Sequence, residues 1–146
     1  GTSRGLGDVY KRQDQCCTVK CEANQLCYGH HCYETTIAVV ERLGLPPERW
    51  SLSYQSRLGP VKWLEPSTTQ MVENLVKKGI KKLAIVAPAF LADGLETLEE
   101  LDIGIREEFM EHGGLELKVI NCLNDDQQWV QGLEQLISRK FERVTA

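Results

Sequence analysis

Apolar positions along the chain change rhythm several times, and each change marks an element. Tyr33, Ile37, Val40 and Leu43 recur at helical spacing, and Gly44 follows where a helix C-terminus favours glycine. Trp50, Leu52 and Tyr54 then alternate, as a strand would. Ser67 with Gln70 three residues on forms a capping box. It opens a helix through Met71, Leu75 and Val76 that stops at Lys77-Lys78-Gly79. Leu83 to Ala87 is an unbroken apolar run, the mark of a strand buried on both faces. Asp93 with Glu96 reads as a second box, feeding a helix through Leu98, Leu101, Ile105 and Phe109 that ends at Gly113-Gly114. Leu117, Val119 and Ile120 give a further strand, and Asn124 is the expected cap of a last helix carrying Trp129, Val130, Leu133, Leu136 and Ile137.

The strand starts, near 50, 82 and 117, are spaced as in βαβ units. This alternation predicts an α/β fold: a parallel sheet with helices on both faces and right-handed crossovers. Ligands gather at the carboxyl ends of such strands. The loops Gln55–Pro66, Pro88–Gly94 and Asn121–Asp125 are therefore where chemistry is expected.

With 146 residues, the chain suits about one domain. A net charge of −4 argues against a nucleic-acid surface, which normally carries excess base. The longest greasy stretch, Leu83–Ala92, is ten residues interrupted by Pro88, whereas a membrane span needs about 20. Neither a span nor a signal-peptide pattern is visible, so a cytoplasmic location is expected. Residues 1–13 are polar and aperiodic, and Asp8-Val9-Tyr10-Lys11-Arg12-Gln13 resembles a translated sequencing adapter. They are read as an artefactual tail, residues 14–32 as a cysteine-rich segment, and residues 33–146 as the folded domain.

Two of the loops hold unusual residues. Gln55–Leu64 is longer than a minimal βα turn and offers Trp63 and two cations. Glu96 and Glu100 lie one helical turn apart, a pairing that costs roughly 0.2–0.5 kcal/mol on an isolated helix. A divalent metal would turn that repulsion into a site. The same acids also have a purely structural reading as a cap favoured by the helix dipole.

The run Ser53-Tyr54-Gln55-Ser56-Arg57-Leu58-Gly59-Pro60, followed by Trp63-Leu64, resembles the signature loop of the ferrochelatase family. Asp93-Gly94-Leu95-Glu96-Thr97-Leu98-Glu99-Glu100-Leu101-Asp102 resembles a second family motif, and Cys122-Leu123-Asn124-Asp125 a third. The resemblance runs from about Cys16 to Phe141. It implies the carboxyl half of a protein with two Rossmann-like halves, whose family inserts ferrous iron into a porphyrin to form haem. By this resemblance Glu96 binds Fe2+ or handles protons, Glu100 passes metal or protons along the helix, and Trp63 with Gln55, Ser56 and Arg57 lies near the porphyrin. Some members carry a His where this chain has Gly94, and some extend the acidic row to the position of Gly104. The family's catalytic His belongs to a motif upstream of Cys16, and neither His30 nor His31 matches it. The chain alone is therefore expected to be inactive without the missing amino-terminal half. The greasy substrate leaves room for peripheral membrane contact.

Five of the six cysteines crowd together: Cys16, Cys17, Cys21, Cys27 and Cys32. Clustered cysteines in an intracellular protein favour metal over disulfides. Several bacterial ferrochelatases similar to this segment carry a [2Fe–2S] cluster, and Cys17, Cys21, Cys27 and Cys32 are the candidate ligands. Zinc and free thiols are the other readings, and an iron–sulfur or zinc-binding module on an α/β scaffold is the alternative function. Cys122, at a strand end, reads as a small buried hydrophobe.

Overall fold

The computed structural model describes residues 27–56, 60 and 63–145, and the chain divides into two compact units between Ile80 and Lys81.

In the first unit, helix α1 spans Tyr28–Arg42 and helix α2 spans Thr68–Lys77, with a 3-10 turn at Pro47–Arg49 between them. The α1 terminus follows from its last residues. Gly44 N–H donates to Glu41 O at 3.1 Å and Leu45 N–H to Val40 O at 2.9 Å, the paired bonds of a Schellman motif. This closure needs a left-handed residue, and Gly44 supplies it at φ 64. Helix α2 ends the same way at Gly79. Its start is the expected capping box: Ser67 Oγ accepts from Gln70 N–H at 3.2 Å, and Gln70 Oε1 accepts from Ser67 N–H at 3.3 Å. Val40, Leu64, Val72 and Val76 are buried here.

The expected strand around Trp50–Tyr54 does not form. Tyr54 alone makes a ladder contact, a parallel bridge to Ser67. Its N–H donates to Pro66 O at 2.9 Å and its carbonyl accepts from Thr68 N–H at 3.0 Å. The alternation predicts a strand, whereas the backbone at Tyr54 is satisfied by the turn leading into α2.

The second unit carries the sheet. Strands β1 (Lys82–Val86) and β2 (Glu116–Ile120) pair in parallel, Leu83 opposite Leu117 and Ile85 opposite Val119. A π-helix at Glu96–Ile105 runs directly into helix α3 at Arg106–Glu111, and helix α4 spans Gln127–Thr145. Buried positions recur every four residues along the long crossover: Thr97, Leu101, Ile105 and Phe109. Leu98, expected on that face, is 54% exposed. Phe109 is fully buried against Gly114, where an added Cβ would lie 2.3 Å from its ring. Arg106 fastens the crossover to the sheet, with its guanidinium donating to Asp102 and to the Leu117 carbonyl. The strand β1 was expected to be covered on both faces. Instead its residues alternate, with Lys82, Ala84 and Val86 exposed.

No described helix is long and apolar enough to cross a membrane.

Candidate functional site

The two loops leaving the carboxyl ends of β1 and β2 are tied together at Asp93. Its Oδ1 accepts from the Thr97 hydroxyl at 3.0 Å and from Cys122 N–H at 3.2 Å, while Oδ2 accepts from Asn124 Nδ2 at 2.8 Å. In return, Asp93 N–H donates to Asn124 Oδ1 at 2.9 Å, and Asn124 N–H donates to Leu91 O at 2.8 Å. Asn124 holds φ 49, a left-handed conformation that Asn tolerates better than most residues. These donors, led by Asn124 and then by Cys122 N–H, hold the Asp93 carboxyl below its usual range. Cys122 is half-buried rather than enclosed; burial and its hydrogen bond to Asp93 push its thiol up.

This arrangement corrects two capping assignments. Asp93 does not pair with Glu96 as a box: it binds Thr97 and reaches across to β2's loop. The π-helix has Leu95 at its N-cap, with no side-chain cap bond. Asn124, committed to Asp93, does not cap α4. Asp126 does, its Oδ1 accepting from Gln128 N–H at 2.9 Å and Trp129 N–H at 3.1 Å.

Glu96 opens the π-helix and is half-buried, and Glu100, four residues on, is exposed. The Glu96 carboxylate folds back on the loop, so that a Cβ at Gly94 would lie 3.3 Å from its Oε2. π-helical geometry is rare, and its single-turn form is frequent at functional sites. Nothing in the four-residue spacing of the acids announced it.

In the first unit, Trp63 is half-buried with its ring 6.5 Å from that of Tyr28, tilted by 39°. Gln55 and Ser56 are also half-buried, and Ser56 takes φ 59 as the chain enters the loop. Arg57 lies outside the described residues.

Of the cysteines, Cys16, Cys17 and Cys21 also lie outside the described residues. Cys27 takes the N-cap position of α1, and Cys32 sits one turn in. Burial pushes the Cys32 thiol up against a lowering hydrogen bond from the Tyr28 hydroxyl, and the nearby Cys27 raises it further. Among the described residues no group of three or more His, Cys, Asp or Glu side chains is placed to hold a metal.

Sequence reasoning missed the Asp93–Asn124 pairing and the role of Thr97. The separation of Asp93 from Asn124 hides the first, and Thr97 has the polarity of a surface residue although it is 2% exposed.

The ferrochelatase family profile matches residues 8–141. The ferrochelatase of Pseudomonas fluorescens (strain Pf0-1) is 44% identical over 130 residues, covering 89% of this chain and 38% of that protein. The ferrochelatase of Bdellovibrio bacteriovorus is 44% identical over 124 residues, 85% of this chain and 37% of that protein. That of Pseudomonas aeruginosa (strain LESB58) is 48% identical over 118 residues, 81% of this chain and 35% of that protein. The chain thus spans less than two-fifths of the length of these relatives.

Proposed function

The chain belongs to the ferrochelatase family, and from that premise we propose that it is the carboxyl-terminal portion of a metal chelatase, a lyase that inserts Fe(II) into a porphyrin. The observation that carries this reading is the family match across residues 8–141, which takes in Gln55–Leu64 and Asp93–Asp102 together. Neither a plain α/β scaffold nor a cysteine-based metal module requires both loops.

Insertion exchanges two pyrrole protons for one ferrous ion, so the reaction needs a proton acceptor and a weak iron ligand near the macrocycle. In this reading Glu96 supplies one or both functions, since a carboxylate is a hard ligand and a competent base. A half-buried position suits that work, because it strengthens the carboxylate's hold on a cation without removing all access to water. Glu100, exposed one turn along, passes iron or protons between Glu96 and solvent. Trp63 offers a flat apolar face to the porphyrin, with Gln55, Ser56 and Arg57 beside it. The acting enzyme includes the missing amino-terminal part and works in the cytoplasm, with peripheral membrane contact where its greasy substrate is delivered.

We further propose that Cys17, Cys21, Cys27 and Cys32 hold a [2Fe–2S] cluster. Cys27 and Cys32 are two thiol donors near one another at the start of α1, half of the set such a cluster takes. The raised thiol of Cys32 is no obstacle, because a bound metal deprotonates a coordinating thiol outright. Anaerobic purification followed by visible spectroscopy and iron analysis tests this. Visible charge-transfer bands that vanish on Cys27→Ser support the cluster, and a colourless, iron-free protein rejects it.

The functional reading is tested by expressing the complete reading frame and this 146-residue chain side by side. Iron insertion by the first and none by the second is expected. Metallation by the short chain alone, or none by the complete protein, contradicts it.

A further inference from the structure

Asp93 carries no role in the chemistry proposed above, yet both of its carboxylate oxygens are engaged at the carboxyl edge of the sheet. Its two oxygens collect the Thr97 hydroxyl, Cys122 N–H and the Asn124 side-chain amide. Its backbone N–H returns to the same Asn124. Asp93 and Asn124 are thus joined twice, by side chain and by backbone, although they are 31 residues apart and follow different strands.

The bonds continue toward Glu96 on both sides. On one side, Gly94 N–H donates to Thr97 Oγ1 at 3.0 Å, and Thr97 is almost fully enclosed, so the first turn of the π-helix is held at its buried face. On the other, Glu96 Oε2 lies close over Gly94, 3.3 Å from where a Cβ would stand, nearer than an ordinary side-chain contact. Glu96 is therefore flanked by Thr97, which Asp93 holds, and by Gly94, which Thr97 holds in turn. The π-helix has no side-chain cap of its own, so this cluster replaces one.

We propose that Asp93 and Asn124 form a positioning pair that sets the place and direction of Glu96 by locking the β1 loop to the β2 loop. The pair touches neither iron nor porphyrin and acts through Gly94 and Thr97. Its catalytic consequence rests on the reading of Glu96 given above, whereas its geometry does not.

The geometric claim is tested in this chain by NMR at one fixed pH, following the Glu96 backbone amide and side-chain methylene signals and the contacts between the Glu96 side chain and Gly94. Asn124→Ala is the decisive variant, because it removes the clasp while leaving the Asp93 carboxylate in place. Displaced Glu96 signals and loss of the Gly94 contacts are expected, with the signals of Glu73 on α2 unmoved. Thr97→Val, which keeps the packing and removes the hydroxyl, should act in the same way if Asn124→Ala fails to fold. Glu96 signals and Gly94 contacts unchanged in the folded variants overturn the proposal.

The catalytic claim uses the complete enzyme. Asp93→Asn should lower kcat by about 10²-fold with KM for porphyrin little changed. Added to Glu96→Gln, it should cost almost nothing further. Additive losses, or a wild-type kcat in Asp93→Asn, show a structural brace only and overturn the catalytic claim. If the wild-type complete enzyme inserts no iron, the functional reading fails, and the NMR result still decides the positioning.

Discussion

At the scale of single residues, the chemistry here is a matter of which polar groups the backbone brings together. Asp93 would pass in the sequence for an ordinary helix cap, and its real partners, Cys122 and Asn124, lie on another loop. Its depressed pKa has a consequence for folding. A carboxyl held down in the folded state contributes stability above its ordinary value of 3.8, and that contribution fades as pH falls through the folded value. Thermal melts of this chain should therefore lose stability below about pH 4, with Asp93→Asn showing a shallower acid loss than wild type. Glu116, held down by Lys82 at 2.9 Å, shares that window in both proteins and so cancels in the comparison. Equal acid slopes would show that the Asp93 bonds add nothing to stability. A second residue-scale test concerns Trp63. In a Trp50→Phe, Trp129→Phe background, Tyr28→Ala should shift its emission to longer wavelength, since the Tyr28 ring is its aromatic neighbour. Unchanged emission would mean that the contact does not shield it.

At the scale of elements, local signals were legible and long-range pairing was not. The capping box at Ser67–Gln70 and the helix ends at Gly44, Gly79 and Gly113 could be read directly, because each is decided within a few residues. Ser67→Ala should accordingly cost about 0.5–2 kcal/mol, measured by urea denaturation. Gly114→Ala should cost about 1–3 kcal/mol through overpacking, because its methyl would land on the buried Phe109 ring. A neutral result there would mean that the ring has room to move. The strand expected at Trp50–Tyr54 failed for the opposite reason: its alternation describes extended backbone, and only the rest of the fold decides what that backbone pairs with. Asn124 and Asp126 are both good caps two residues apart, and the choice between them was made by Asp93 from far along the chain. The π-helix was equally hidden, since acids four residues apart suit an α-helix as well.

At the scale of the whole molecule, the parallel β1–β2 pair with its crossover is the frame that sets the Asp93 cluster and Glu96 at one edge of the second unit. The α/β class and the parallel strand–helix–strand unit were visible in the rhythm of the sequence. The family match takes in both loops, and the chain covers less than two-fifths of the length of the relatives compared. The most direct measurement is the initial rate of ferrous iron insertion into porphyrin by the complete protein, wild type against Glu96→Gln, at equal concentrations of folded enzyme. The proposed role of Glu96 as a base at the metal predicts a fall of at least about 10²-fold. A mutant that inserts iron at the wild-type rate would contradict the assignment of Glu96, and with it the proposed chemistry of this edge.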